Sequence, residues 1–322
     1  MLKRHLSFFS LLLLGAMPLL QAAGKTKNSV EPPLLPGKKG ACFTLREAGA
    51  KKGGTVSENM PKVKALNVSW NYSWGTRLAP EQPKDIEFIP MSWGGSNKER
   101  LKTYLQKNVV PEIISGNVHR FLAFNEPDKK EQANMPYMKA IELWPVLEKL
   151  NVPLCSPSCA NPEGIKDAST QGVPGTWMKD FMDEAEKRKL RVDYVGAHWY
   201  GGSSAKHFKA KMRRIYEKYG RRPLLITEFA PADWKTKGDI KKHRLTPAKV
   251  LSFMKDVLPW MEKQDWIYGY AWFSFKHSAP QGASSSLFDD DGKLTACGRY
   301  YRSVTPENPK GDQSIKPDPV WW

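Results

Sequence analysis

The chain has 322 residues and a formal net charge of +17, enough for one large barrel or two small domains. The cations are spread through helical stretches such as Lys206, Lys209, Lys211, Arg213 and Arg214. No helix-turn-helix, zinc-finger or aromatic RNA-binding pattern accompanies them, which argues against nucleic acid as a partner and for a solvated or loosely polyanion-adhering surface.

At the N-terminus, Lys3 and Arg4 precede a mostly apolar run from Leu6 to Leu20, followed by the small residues Ala22, Ala23 and Gly24. This order predicts a secretory signal peptide over residues 1–23. The run is shorter than the roughly 20 residues a membrane span needs, so an exported, soluble protein without a span is expected. Residues 24–38, rich in Lys and Pro, read as a linker, and residues 305–322 as a loose C-terminal tail.

Residues 39–304 alternate short apolar runs with amphipathic stretches, the pattern of a parallel α/β sheet. Strands are predicted near Gly40–Thr44, Ala65–Trp70, Ile86–Met91, His119–Phe124, Val152–Ser156, Val192–Trp199, Pro223–Thr227 and Tyr268–Phe273. Helical spacing is clearest over Met138–Leu150, Trp177–Lys189, Ala205–Tyr219 and Thr246–Lys263, with Pro145 expected to kink or break the first. Eight such repeats match a single-domain (β/α)8 TIM barrel, whose typical length is ~250 residues. An open doubly wound sheet is the alternative, but no Gly-rich phosphate loop follows any strand.

In a barrel, chemistry sits at the C-terminal strand ends. Those ends read Ser69-Trp70-Asn71-Tyr72-Ser73-Trp74, Met91-Ser92-Trp93, Asn125-Glu126-Pro127, His198-Trp199-Tyr200, Thr227-Glu228-Phe229 and Trp272-Phe273. Glu126 and Glu228 each close an apolar run, where a carboxylate needs partners or a task. Strands four and seven stand across the barrel mouth, so both side chains can reach one cleft. Paired carboxylates about 5–5.5 Å apart are what a retaining glycosidase requires. The 12 Trp and 11 Tyr suit stacking against sugar rings, though any single one can equally be core. The four cysteines, Cys42, Cys155, Cys159 and Cys297, match no zinc spacing, and their pairing is not readable from sequence.

The motifs Leu66 to Trp74, Phe124 to Pro127, Ala197 to Tyr200, Ile226 to Phe229 and Tyr270 to Phe273 together resemble glycoside hydrolase family 128, in the clan of retaining barrel glycosidases. The resemblance spans about Lys38 to Val304 and implies an endo-β-1,3-glucanase. It implies Glu126 as general acid/base, Glu228 as nucleophile and Asn125 as partner of the sugar 2-hydroxyl. His198 and Tyr200 would line the catalytic subsite and Trp272 would lie beneath the ring being cleaved. Trp70, Trp74, Trp93, Trp199 and Trp234 would wall neighbouring subsites. Phe43-Thr44 departs from the small, polar residues expected at the first strand. A monomer acting on a polysaccharide, with no metal or organic cofactor, is expected. The alternatives are a barrel glycosidase for β-1,4-glucan, mannan or an anionic glycan, and a non-catalytic glycan-binding protein.

Overall fold

The computed structural model describes residues 37–50, 54–163 and 177–305. The expected signal peptide, most of the expected linker and all but the first residue of the expected tail lie outside them. Eight strands and eight helices are found among the described residues: β1 Lys39–Cys42, α1 Val56–Ala65, β2 Trp70–Tyr72, β3 Glu87–Phe88, α2 Lys98–Asn108, α3 Val110–Ile114, β4 Phe121–Leu122, α4 Tyr137–Glu148, β5 Leu154–Cys155, α5 Trp177–Lys187, β6 Val195–Trp199, α6 Ala205–Lys218, β7 Leu224–Phe229, α7 Pro247–Glu262, β8 Ile267–Phe273 and α8 Ala296–Ser303.

Six strands form a parallel sheet in the order β3-β2-β1-β8-β7-β6, so the first and last strands of the chain are neighbours; β4 and β5 form a second parallel pair. Isolated parallel bridges join Met91 to Leu122, and Cys155 and Cys159 to Tyr194 and Ala197. No helix among the described residues is long and apolar enough to cross a membrane.

The core has two parts. A larger one lies between strands and helices, where α5, α6 and α7 bury Phe181, Phe208 and Phe253. A smaller one gathers Cys42, Tyr72, Leu122, Cys155, Leu225 and Ala271, with Trp70, Ile89, Met91 and Tyr194, from the inward faces of the strands. Gly40 is needed there, because a Cβ on it would lie 2.2 Å from the Trp70 ring, whose Nε1 donates to the Lys38 carbonyl at 2.9 Å. Deeper in the same interior, the Arg120 guanidinium meets the Glu87 carboxylate at 2.9 Å, and both are buried. A lone charge at that depth would be strongly unfavourable.

Helix ends follow side-chain chemistry. Thr55, Asn97, Ser204, Thr246 and Thr295 cap the starts of α1, α2, α6, α7 and α8, and Thr55 forms a full capping box with Glu58. Two buried lysines serve the opposite ends. Lys38 Nζ donates to the carbonyls of Glu262, the last residue of α7, and of Gln264 just past it, at 2.7 and 2.8 Å. Lys39 Nζ donates to Tyr301 and Arg302 at 2.9 and 3.2 Å, at the end of α8. The folded unit thus reaches into the stretch read as linker. The four cysteines are free and buried.

Candidate active site

β6 and β7 lie side by side with His198 opposite Glu228, so their side chains emerge together at the C-terminal end of the sheet. Glu126 lies four residues beyond β4, where its backbone N–H donates to the Ser158 carbonyl at 2.8 Å. Its φ of +38° is unusual for a side-chain-bearing residue, and such strain collects at functional sites. Two residues on, the buried Asp128 carboxylate accepts from the backbone of Ala160 and Asn161, both at 2.9 Å, and ties this turn to the segment after β5.

The result is a triad. Glu126, His198 and Glu228 are all buried, with one donor or acceptor atom from each lying within 4.8 Å of the others. The imidazole stands between the carboxylates, Nδ1 3.0 Å from Glu126 Oε1 and Nε2 3.6 Å from Glu228 Oε1. Glu228 receives three further donors: Trp74 Nε1 at 2.7 Å, the Tyr72 hydroxyl at 3.1 Å and the Tyr200 hydroxyl. Glu126 has the ammonium of Lys129 at 3.6 Å.

Burial opposes charge on Glu126, His198, Tyr72 and Tyr200, and the neighbours decide the outcome. It pushes Glu126 up, but the His198 hydrogen bond and the charges of His198 and Lys129 outweigh it and hold the carboxyl below its ordinary value. His198 is pushed down by burial, yet Glu228 and Glu126 leave it above the ordinary histidine value. Burial and the Glu228 charge drive the Tyr72 and Tyr200 phenols well up, so both remain protonated donors.

The remaining expected residues divide. Asn125 is buried beside Glu126; its Nδ2 reaches Gln132 Oε1 at 3.4 Å, and its Oδ1 has no hydrogen-bond partner among the described residues. The Trp93 carbonyl accepts from the Asn125 N–H at 2.9 Å and its indole is exposed. Trp234 is 56% exposed, donates Nε1 to the Tyr200 carbonyl at 2.9 Å and stands edge-on to the Tyr200 ring. Trp74, with φ +57°, packs edge-on against Tyr72 and Phe273.

Three tryptophans are not at the cleft. Trp272 is 1% exposed and faces outward among Phe229, Phe253 and Tyr301, its Nε1 donating to the Ser285 carbonyl. Strand alternation turns Phe273 inward in its place, against Tyr200 and Trp74. Trp199 likewise points outward, stacked on Phe253. Trp70 is sealed in the interior beneath Tyr72. Tyr72 is the residue that sequence reasoning missed. The signal was there: it is two residues from Trp70 and two from Trp74, hence on the same face.

Two carboxylates facing one another at the strand ends of a parallel α/β sheet are the kind of pair that glycoside hydrolysis uses. The chain belongs to the glycosyl hydrolase catalytic core family, matched over residues 42–301. No curated protein matches it in sequence. Among solved structures it is similar to a family 128, subgroup I, endo-β-1,3-glucanase from Amycolatopsis mediterranei in complex with laminarihexaose, with a TM-score of 0.65 and 25% identity over 84% of this chain and 100% of that one. A subgroup III curdlan-specific exo-β-1,3-glucanase from Blastomyces gilchristii gives a TM-score of 0.58 and 26% identity over 84% and 100%. A subgroup II endo-β-1,3-glucanase from Sorangium cellulosum, at 24% identity and a TM-score of 0.62 over 84% and 100%, is alike in fold. The resemblance to family 128 read from the motifs is borne out by these matches.

Proposed function

We propose that the protein is a retaining endo-β-1,3-glucanase, with Glu126 as general acid/base and Glu228 as nucleophile. The observation that carries this reading is the meeting of the two buried carboxylates around His198. One oxygen of each carboxylate lies within 4.8 Å of the other, which supports the close spacing of about 5–5.5 Å used in retention rather than the wider gap that admits a water. Three donors on Glu228 fit a carboxylate that accepts and attacks rather than one that gives up a proton.

A Glu228 oxygen bonds to the anomeric carbon as the glycosidic C–O bond breaks, and Glu126, which must first take up a proton because His198 and Lys129 favour its carboxylate, passes that proton to the departing oxygen. Glu126, now a base, takes a proton from water; the water oxygen bonds to the same carbon and Glu228 leaves. Asn125, with its free Oδ1, is suited to the 2-hydroxyl, and Trp74, Trp93 and Trp234 to neighbouring rings.

The reading extends to architecture and address. β1 beside β8, the bridges on either side of the β4–β5 pair and an inner core fed by six strands and by residues flanking β3 and β6 support closure into a (β/α)8 barrel over residues 39–304. The charged start, apolar run and small residues of positions 1–23 support export.

Incubation with laminarin, curdlan, barley glucan, cellulose and mannan, with products resolved by chromatography, tests the substrate. Laminarin and curdlan should yield a ladder of oligosaccharides; release of glucose alone would replace endo by exo action. Glu126→Gln should lower kcat by about 10²–10⁴-fold. Glu228→Gly should recover cleavage of an activated glycoside with azide, giving inverted product. Full activity in either variant removes its residue from the mechanism.

A further inference from the structure

The loop after β7 carries charge that hydrolysis of a neutral glucan does not use. From Trp234 to Arg244 it holds Lys235, Lys237, Lys241, Lys242 and Arg244 against a single acid, Asp239. The loop is braced at both ends. Asp233, just before it, accepts from Arg244 through Nε at 2.9 Å and Nη2 at 2.6 Å, and also from the backbone of Lys235 and Arg244. Two short 3-10 turns, Trp234–Thr236 and Ile240–Lys242, are capped by Asp233 and Asp239.

Both acids are therefore consumed inside the loop, Asp239 pairing with Lys242 at 3.6 Å. Lys235, Lys237 and Lys241 are exposed and have no ion-pair partner among the described residues. Lys237 holds φ +47°, a left-handed backbone that a Cβ disfavours and glycine does not. The loop opens with Trp234, seated on Tyr200, whose hydroxyl holds Glu228. Lys235 directly follows this exposed aromatic platform, and Lys237 and Lys241 lie in the same loop.

We infer that the loop 234–244 is a cationic arm that recognises an anionic substituent, such as a carboxylate, sulfate or phosphate, on the β-1,3-glucan chain. This rests on the glucanase reading and narrows its substrate class. A sugar ring stacks on Trp234 while a substituent on it or on the next ring reaches the ammonium groups. Lys129, half-exposed beside Glu126, adds a cation on the β4 side of the site.

The test measures binding to Glu228→Gln protein by calorimetry, with laminarin and carboxymethyl-laminarin of equal length. The carboxymethyl polymer should bind about tenfold more tightly at about 0.01 M salt, and the ratio should shrink at about 0.15 M, as the screening length falls from about 30 to about 8 Å. Adding Lys235→Gln, Lys237→Gln and Lys241→Gln should bring the ratio to about one, while Arg at the same positions should restore it. Removing three cations instead from the cavity between the ends of α1 and α8, by Lys64→Gln, Arg299→Gln and Arg302→Gln, should leave it intact. Equal affinity for the two polymers overturns the inference, as does a distal variant that abolishes the preference as fully as the loop variant. Turnover of laminarin by the wild-type enzyme is read separately, so failure of the glucanase reading shows as no product whatever the binding ratio.

Discussion

The Tyr200 hydroxyl, the Tyr72 hydroxyl and Trp74 Nε1 converge on one carboxylate, Glu228. A hydrogen bond to a charged group is worth ~1.5–3 kcal/mol, so Tyr200→Phe should lower kcat on laminarin by about 10–100-fold, with unchanged far-UV circular dichroism. An unaltered kcat would show that the phenol merely fills space. The His198–Glu126 contact sets a pH dependence of stability. His198 is raised, so its contribution is complete below its ordinary value of about 6.5 and is lost as pH climbs through the higher folded value. Glu126 is lowered, so its contribution is present above about 4.5 and is lost as acid protonates it. The pair thus stabilises most between those limits. Melting temperatures of wild type and His198→Gln should differ most near pH 5.5 and converge on the alkaline side; a gap constant with pH refutes the coupling. Both glutamates were legible in the sequence because a carboxylate ending an apolar strand is conspicuous. The orientation of the tryptophans was not. Trp272 and Phe273 are adjacent aromatics of opposite parity, and register with β1 decides which one faces the cleft.

Helix ends and strand ends are where sequence and structure part. The expected strand at Ala65–Trp70 is the end of α1, its cap Leu66 and a left-handed turn at Asn67 (φ +52°), with β2 starting at Trp70. The stretch is apolar because a buried helix end meets a buried strand start, and periodicity cannot separate the two. Pro145 was expected to kink or break its helix; α4 is not broken there and runs on to Glu148, with Ile141, Leu143, Trp144 and Leu147 all buried around it. Tertiary burial there outweighs a lost backbone bond. The end of α8 gives a stability test at this scale. Burial lowers the Lys39 ammonium to about 8, against the pull of Glu262, so the lysine is retained at a cost for its carbonyl contacts. Lys39→Met leaves the Tyr301 and Arg302 carbonyls without their donor and should cost about 1–3 kcal/mol, read as a lower urea midpoint at unchanged m-value. An unchanged midpoint would mean that water replaces the ammonium.

For the molecule as a whole, the parallel sheet was foreseeable from eight apolar runs, and its neighbours follow chain order with β1 beside β8, whereas the division into a six-stranded sheet and a β4–β5 pair joined to it by isolated bridges was not. Those bridges involve the segments that hold Cys155 and Cys159, while Cys42 lies in β1 and Cys297 in α8. The thiols are thus distributed around the fold, and all four are buried and unpaired. Burial also holds each of them above its ordinary pKa, Cys297 at about 11, with the Glu228 charge adding to the effect on Cys42. A thiol that is both sheltered and protonated is a poor nucleophile. Native protein should therefore take up almost no maleimide at neutral pH, and unfolded protein four equivalents without prior reduction, counted by intact mass. Its melting temperature should be indifferent to reductant, since a large inner and outer core supplies the stability that crosslinks lend to small exported domains. Two labels on the unfolded chain, or a melting temperature that drops with dithiothreitol, would require a disulfide between cysteines that are unpaired in this structure.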